Sequence, residues 1–106
     1  MIVNPLDRIF AALASVPRRQ IIAFLGQTAL ATSDLAARFG MSAPAVSRHL
    51  SVLQQAGLVS AERQGQRVLY RLRRDALLDA LARFASEVDG PLRHDAQGLR
   101  APREAI

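Results

Sequence analysis

Arginine side chains are concentrated in the middle third of this 106-residue chain, where little negative charge opposes them. Between residues 38 and 74, seven arginines meet a single acid, Glu62, so this block carries a net charge of +6. Residues 1–37 carry +1 (three arginines, two acids) and residues 75–106 carry −2 (four arginines, six acids). Guanidinium groups pair with phosphates and release the counterions condensed on a polyanion. The localised charge indicates a polyanionic partner, with a merely solubilising surface as the alternative.

Residue types that catalytic and metal sites need are scarce. The chain has no cysteine, which excludes disulfides, thiolate metal sites and cysteine nucleophiles. It has two histidines, no Ser/His/Asp ordering and no phosphate-binding glycine loop of the usual spacing, so we expect neither an enzyme nor a bound cofactor. No apolar run approaches the roughly 18 to 20 residues that span a bilayer, and the N-terminus shows no leader pattern, so we expect a cytoplasmic protein without a membrane partner.

Apolar residues at three- and four-residue spacing predict helices towards both ends of the chain. The first helix opens at Pro5, a second is capped by Ser15 and ends at Gly26, and a last helix begins after Asp75. The first and last helices each carry an apolar stripe, consisting of Leu6, Ile9, Phe10 and Leu13 in the first and of Leu77, Leu78, Leu81, Phe84 and Val88 in the last. Because small domains often gain stability by pairing, a homodimer is expected.

Two further helices are joined by a tight turn at Gly40. The third helix, Leu35–Phe39, ends at this glycine, and the fourth, residues 43–56, follows the capping residue Ser42. The apolar face of the fourth helix consists of Val46, Leu50 and Leu53. A glycine-bearing turn between two such helices is typical of a helix-turn-helix, whose second helix enters the major groove of DNA. The alternative is an ordinary amphipathic helix hairpin.

The opposite face of the fourth helix is small, polar and singly basic. Such a face enters a major groove without steric conflict, while serine hydroxyls and Arg48 reach base edges or phosphates. The side chains expected to contact DNA from this segment are Ser42, Ala45, Ser47, Arg48, His49 and Ser51. For His49, the alternative to a DNA contact is a side chain that packs within the protein. The sequence does not distinguish whether Arg18 and Arg19 are two ordinary surface residues or contact a phosphate.

After Gly57 the pattern changes to that of strands. Two β-prone runs, 58–63 and 67–72, flank a turn centred on Gly65 and predict a β-hairpin. Its tip carries Arg63, Gln64, Gln66 and Arg67, which can reach a phosphate backbone or minor groove. The predicted fold is mainly α (α+β): a winged helix-turn-helix domain, residues 1–89, with five helices and a two-stranded β-hairpin wing. Helix breakers and the loss of periodicity predict a flexible C-terminal tail over residues 90–106.

Residues 12–72, as an ordered set, resemble the ArsR/SmtB family of winged-helix bacterial repressors. The segments that carry the resemblance are Ala12-Leu13-Ala14-Ser15-Val16-Pro17-Arg18-Arg19-Gln20-Ile21, Asp34-Leu35-Ala36, Val46-Ser47-Arg48-His49-Leu50, Leu53, Ala56-Gly57-Leu58-Val59 and Gly65-Gln66-Arg67-Val68-Leu69-Tyr70-Arg71-Leu72. The resemblance implies a homodimer held by the first and last helices, each subunit placing its fourth helix in successive major grooves of a near-palindromic double-stranded DNA operator. The two apolar stripes agree with this arrangement.

Many members of that family sense metals, and the residues they use are missing from this chain. Ala31 and Ser33 occupy the positions of a Cys-x-Cys pair at the start of the third helix, and the last helix offers acids but no histidine before His94. Zinc and nickel sites generally need imidazole or thiolate ligands, so no metal site is expected. The sequence does not distinguish between regulation by an unidentified organic small molecule and regulation without any effector.

The expected function is that of a homodimeric, sequence-specific DNA-binding repressor, with helix 43–56 in the major groove and the wing, residues 63–67, on the backbone or in the minor groove. The alternative is a winged-helix protein-interaction module of the antirepressor kind, which binds another regulator rather than DNA. Charge discriminates between the two, because such a module has no need of seven arginines against one acid.

Overall fold

A computed structural model describes residues 4–98, which form five helices and three short strands. In chain order these elements are α1 (Pro5–Leu13), α2 (Val16–Leu25), β1 (Leu30–Ala31), α3 (Thr32–Phe39), α4 (Ala43–Gln55), β2 (Val59–Gln64), β3 (Arg67–Leu72) and α5 (Arg74–Gly98). The predicted helix-turn-helix and β-hairpin are confirmed as α3–α4 and β2–β3. The strand β1 was not predicted.

Polar caps and prolines fix where α1, α2 and α4 begin. The side chains of Asn4, Ser15 and Ser42 each accept a hydrogen bond from a backbone N–H of the following turn, at 2.7, 3.4 and 3.2 Å. Pro5 and Pro44 stand in the first turns of α1 and α4, where a missing N–H costs nothing. Since these N–H groups have no partner within the helix, local sequence is enough to determine the three starts.

The third helix is longer than its pattern predicts. It begins at Thr32 rather than Leu35, because the Asp34 carboxylate reaches back and accepts the N–H of Ala31 at 2.9 Å. It ends at Gly40, whose φ of 64° lies in the left-handed region that glycine adopts without strain. The chain thereby turns sharply into α4.

Apolar side chains from α2, α3, α4 and the segment after α4 form the core. The largest fully buried side chains are those of Ile21, Leu35, Val46, Leu50, Leu53 and Leu58. Three of the six come from α4, which confirms the predicted apolar face of that helix. The described part of the chain buries no polar or charged residue, so the cohesion of this core comes from apolar packing.

The three strands form one antiparallel sheet in the order β1-β3-β2. The hairpin pairs Val59 with Leu72 at its base and Gln64 with Arg67 at its tip, where Gly65 adopts a φ of 63°. The two-residue strand β1 pairs with Leu69 and Tyr70 on the other edge of β3, so the sheet has three strands rather than the predicted two. Two residues are too few to show a strand periodicity, and for this reason β1 escaped prediction.

The last helix extends further than the sequence pattern indicates. Its backbone is helical to Gly98, so positions 90–98, which were assigned to a flexible tail, belong to α5. Gly90 and Pro91 lower the intrinsic propensity, by roughly 1 and 3 kcal/mol for such residues in a helix interior, but they do not bar a helix whose earlier turns already exist. Residues 99–106 of the predicted tail lie outside the described residues.

We predict that Leu50→Ala lowers the free energy of unfolding by about 2–5 kcal/mol, because Leu50 is completely buried and its truncation leaves a cavity. Urea denaturation followed by circular dichroism measures this change. Val52→Ala is the matched control on the same helix, since Val52 is 39% exposed and its truncation should change stability by less than about 1 kcal/mol. Equal losses in the two variants would contradict the assigned orientation of α4.

Candidate nucleic-acid interface

The helix α4 presents a small, polar face to solvent. Ser42, Ser47, Arg48 and Ser51, four of the six side chains predicted to contact DNA from this segment, are exposed. The other two, Ala45 and His49, are partly buried. Because the residues at the start of α4 are small, a ligand can approach the helix backbone closely. The geometry is that of a recognition helix whose reading face is unobstructed within the described part of the chain.

Arg48 is the basic side chain of this face. It is exposed and forms no ion pair with any residue in the range that the structure describes. An uncompensated guanidinium on a groove-sized helix can make a bidentate pair with guanine O6 and N7 or bind a phosphate.

All four side chains predicted at the tip of the wing are exposed, but its two arginines differ in their partners. Arg67 Nη2 lies 2.6 Å from Asp34 Oδ2, which ties the start of β3 to the first turn of α3. Arg63 donates instead to the carbonyl of Gly65 in its own turn, at 3.5 Å. Among residues 4–98, Arg63 therefore keeps its charge free of a carboxylate, whereas Arg67 does not. Gln64 ends β2, and Gln66 lies in the turn beside Gly65.

Asp34, which the sequence pattern predicts only as a helix cap, also contacts the wing. The same oxygen, Oδ2, accepts both the Ala31 N–H and the Arg67 guanidinium. The hydrogen bond from the Ala31 N–H is the largest cause of the lowered pKa of Asp34; desolvation opposes it, and the charge and hydrogen bond of Arg67 lower the pKa further. The wing, β1 and α3 therefore meet at one carboxylate. The partner lies 33 residues away, so no local signal could reveal this contact.

His49 is occupied by a protein partner on one side of its ring. Its Nδ1 lies 3.4 Å from Arg18 Nη1 on α2. Arginine has only donors, so Nδ1 is the acceptor and the proton of the neutral ring resides on Nε2. Partial burial, and then the charges of Arg18 and Arg48, lower the pKa of His49. Only Nε2–H is left to act as a donor to DNA.

The helices α1 and α5 pack together and leave an apolar stripe uncovered. The rings of Phe10 and Phe84 meet edge to face with centroids 5.3 Å apart. The α1 members of the predicted stripe, with Leu77, are partly buried. The four remaining α5 members, Leu78, Leu81, Phe84 and Val88, are 44–55% exposed. Four large apolar side chains open to water along one helix are unfavourable in a monomer and mark an interaction surface.

The sequence of the chain is similar to those of known bacterial regulators. Residues 15–61 match the family described as "Bacterial regulatory protein, arsR family". The transcriptional repressor SdpR of Bacillus subtilis is 33% identical over 76 residues, which cover 72% of this chain and 84% of SdpR. The chain belongs to the ArsR family. It is therefore a transcriptional regulator, and its fold is a winged helix-turn-helix of the DNA-binding type.

Solved ArsR-family structures share this fold. An ArsR-like transcriptional regulator from Rhodococcus sp. RHA1 superposes with a TM-score of 0.75 and 32% identity, over 92% of this chain and 95% of that chain. The homodimeric winged helix-turn-helix DNA-binding domain of Mb0332 from Mycobacterium bovis does so with a TM-score of 0.68 and 33% identity, over 81% of this chain and 82% of that chain. The ArsR family, SdpR and the Rhodococcus protein are transcriptional regulators, not enzymes, in agreement with the expectation from the sequence.

Residues 4–98 contain neither a cluster of metal ligands nor a membrane-spanning helix. Within that part of the chain, no group of three or more His, Cys, Asp and Glu side chains could hold a metal ion. Nor does any helix of that part have the length and apolarity needed to cross a membrane.

We predict that Asp34→Asn destabilises the protein at neutral pH and that the difference from the wild type shrinks as the pH falls below about 4. The pKa of Asp34 is lowered in the folded state, so its contribution is fully present above the ordinary aspartate pKa of about 3.9 and is lost as the pH falls through the lowered value. Urea denaturation between pH 7 and pH 3 measures the difference.

Arg67→Ala is the companion variant for this prediction. It removes the salt bridge but keeps the Ala31 hydrogen bond, so part of the pH dependence should survive. A constant difference between wild type and Asp34→Asn down to pH 3 would show that the carboxylate is not held by these partners.

Proposed function

We propose that the protein is a homodimeric repressor that binds a near-palindromic operator through α4 and the wing. The observation that carries this proposal is the coincidence of two independent features. Within the basic block of residues 38–74, Arg48 lies on the exposed face of α4, and Arg63 and Arg67 lie at the tip of the β2–β3 hairpin. In a winged helix-turn-helix, these are the two surfaces that can approach DNA together.

The recognition helix supplies the sequence readout in this proposal. Ser42, Ser47 and Ser51 lie on the exposed side of α4, where hydroxyls can reach phosphates or base edges. Arg48 supplies the charge-assisted contact, and Ala45 the close apolar approach that a thymine methyl requires. His49 contributes only through Nε2–H, since Nδ1 faces Arg18.

The wing supplies an electrostatic contact. Arg63 is the wing arginine without a carboxylate partner in the described range, so it is the stronger candidate for a phosphate or minor-groove contact. Arg67 is already paired with Asp34 and would bind DNA only by sharing its guanidinium. Gln64 and Gln66 offer neutral amides beside it.

The exposed stripe of α5 supports dimerisation. Pairing two copies through Leu78, Leu81, Phe84 and Val88, with the α1 side chains Leu6, Ile9, Phe10 and Leu13 at its border, would remove this surface from water. A two-fold dimer presents two copies of α4, and half-sites one helical turn apart, about 34–36 Å, suit such a pair. The winged helix-turn-helix domain of Mb0332, which is 33% identical to this chain, is homodimeric, and this supports a dimer here.

Repression would follow from occupancy of an operator, and the similarity to the repressor SdpR, which covers 72% of this chain, supports it. An organic effector would act by changing the angle between the two copies of α4. The protein-interaction module is not favoured, since the exposed Arg48 and Arg63 have no carboxylate partner among the described residues and suit phosphate groups.

Selection of bound sequences from a random pool of duplex DNA tests the function directly. We expect an enriched, inverted repeat whose half-sites are one helical turn apart, together with an affinity that falls steeply with salt. Enrichment of no sequence, together with stoichiometric capture of another transcription regulator from lysate, would support the protein-interaction module instead.

Arg48→Ala should weaken binding to the selected operator by about 1–3 kcal/mol per half-site, the usual contribution of one bidentate base contact. Fluorescence anisotropy of labelled operator measures the loss. Arg83→Ala removes the same charge from α5, where Arg83 pairs with Asp79 at 3.3 Å, and serves as the control that should bind normally. Equal losses in both variants would mean that net charge, rather than the α4 face, determines binding.

Leu81→Asp should convert the dimer into a monomer, because it places a charge in the centre of the apolar stripe. Leu81 is 44% exposed in the single chain, so the monomer fold can accept the aspartate. Analytical ultracentrifugation should give twice the chain mass of 11.5 kDa for the wild type and 11.5 kDa for the variant. Asp79→Asn on the same helix is the control. A wild type that sediments as a monomer at micromolar concentration would refute the dimer.

A further inference from the structure

Arg18 connects three helices through one guanidinium group. It belongs to α2, and its Nε donates to the carbonyl of Ala12 near the end of α1 at 2.7 Å, while Nη2 lies 3.4 Å from the carbonyl of Ala11. Its Nη1 faces Nδ1 of His49 on α4, at 3.4 Å. Terminal carbonyls of a helix have no partner inside it and carry partial negative charge, so a guanidinium binds them favourably.

The neighbouring arginine shows which of these contacts is special. Arg19 also caps α1, since its Nη1 donates to the carbonyl of Leu13 at 2.7 Å. Arg19 is exposed, and none of its hydrogen bonds or ion pairs in the described structure reaches α4. Arg18 is partly buried and contacts both α1 and α4. Two adjacent side chains of equal charge therefore share the capping role, and only one of them bridges to the recognition helix.

The end of α1 that Arg18 holds is itself tied to the candidate dimer surface. Phe10, one residue before Ala11, packs against Phe84 of α5. The helix α5 thus contacts α1, and α1 is joined to His49 through the guanidinium of Arg18. This chain of contacts leads from the apolar stripe to the side of α4 that borders its reading face.

We propose that Arg18 is a positioning residue for DNA binding, which fixes α4 against the end of α1 through His49 and does not itself contact DNA. This inference rests on the proposed function. The fork geometry matters, because the Nε and Nη groups must reach a carbonyl and an imidazole at the same time, which a lysine ammonium cannot do from one position. The lowered pKa of His49 is consistent with the contact, since a neutral ring keeps the lone pair on Nδ1 as an acceptor.

The competing role for Arg18 is a direct phosphate contact, and the two roles differ in their salt dependence. Loss of a phosphate contact reduces the slope of log affinity against log salt by about 0.9 for each contact. Loss of a positioning contact lowers affinity at every salt concentration and leaves the slope unchanged. Lysine also separates the roles, because it binds phosphate well but cannot reproduce the fork.

The experiment measures operator binding across a salt series for wild type, Arg18→Ala, Arg18→Lys and Arg19→Ala. We expect Arg18→Ala and Arg18→Lys to bind about tenfold more weakly with an unchanged salt slope, the size expected for one charge-assisted hydrogen bond. Arg19→Ala should bind within about twofold of the wild type. Thermal unfolding of each free variant shows whether the two alanine variants are equally folded.

Two further measurements test the route through His49. The double variant Arg18→Ala/His49→Ala should bind no more weakly than the weaker single variant, because both changes remove the same connection. The pKa of His49, followed by NMR of its imidazole protons, should rise in Arg18→Ala and stay unchanged in Arg19→Ala, since removal of one positive charge favours the protonated ring.

Each of the following outcomes would overturn the inference: a reduced salt slope in Arg18→Ala, normal binding by Arg18→Lys, or equal losses in Arg18→Ala and Arg19→Ala. Additive losses in the double variant would exclude the route through His49. Failure of the wild type to bind any DNA is a different result, because it refutes the proposed function rather than the role of Arg18.

Discussion

Burial of one face of α4 is the constraint on which the rest of this structure depends. Val46, Leu50 and Leu53 are completely enclosed by the core, and a helix has no freedom to rotate once three side chains on one face are enclosed. The opposite face, with Arg48 and its serines, is therefore directed outward by the same packing that stabilises the domain. The left-handed φ of Gly40 allows the sharp turn into α4. The stability of the core and the orientation of the exposed face therefore depend on the same helix.

The arginines of the chain serve different purposes, although composition makes them look alike. Arg67 and Arg71 are paired with Asp34 and Glu62 and fasten the wing. The guanidinium groups of Arg18, Arg19 and Arg74 donate to backbone carbonyls at or near the ends of α1 and α2. The excess of positive charge therefore overstates how many side chains are available to phosphates. Of the arginines on the α4 face and at the tip of the wing, Arg48 and Arg63 are exposed and have no carboxylate partner within residues 4–98.

Much of the fold could be predicted because its determinants are local. Ser15 and Ser42 cap the helices that follow them, the spacing of Val46 and Leu50 defines a buried face, and Gly65 centres the hairpin turn. Where prediction was incomplete, the determinant was distant or cooperative. The strand β1 exists because β3 offers an edge to pair with, and α5 continues past Gly90 because a formed helix propagates through weak positions.

The sequence by itself determined the helix-turn-helix, the hairpin and the position of the basic block, since each depends on residues within a few turns of one another. Only the tertiary structure decided which charges remain available. Asp34 meets Arg67 across 33 positions, and Arg18 meets His49 across 31. The physical reason is that electrostatic and hydrogen-bonding partners are chosen by distance in space, which hydrophobic packing sets, and the order of residues along the chain carries no record of that distance.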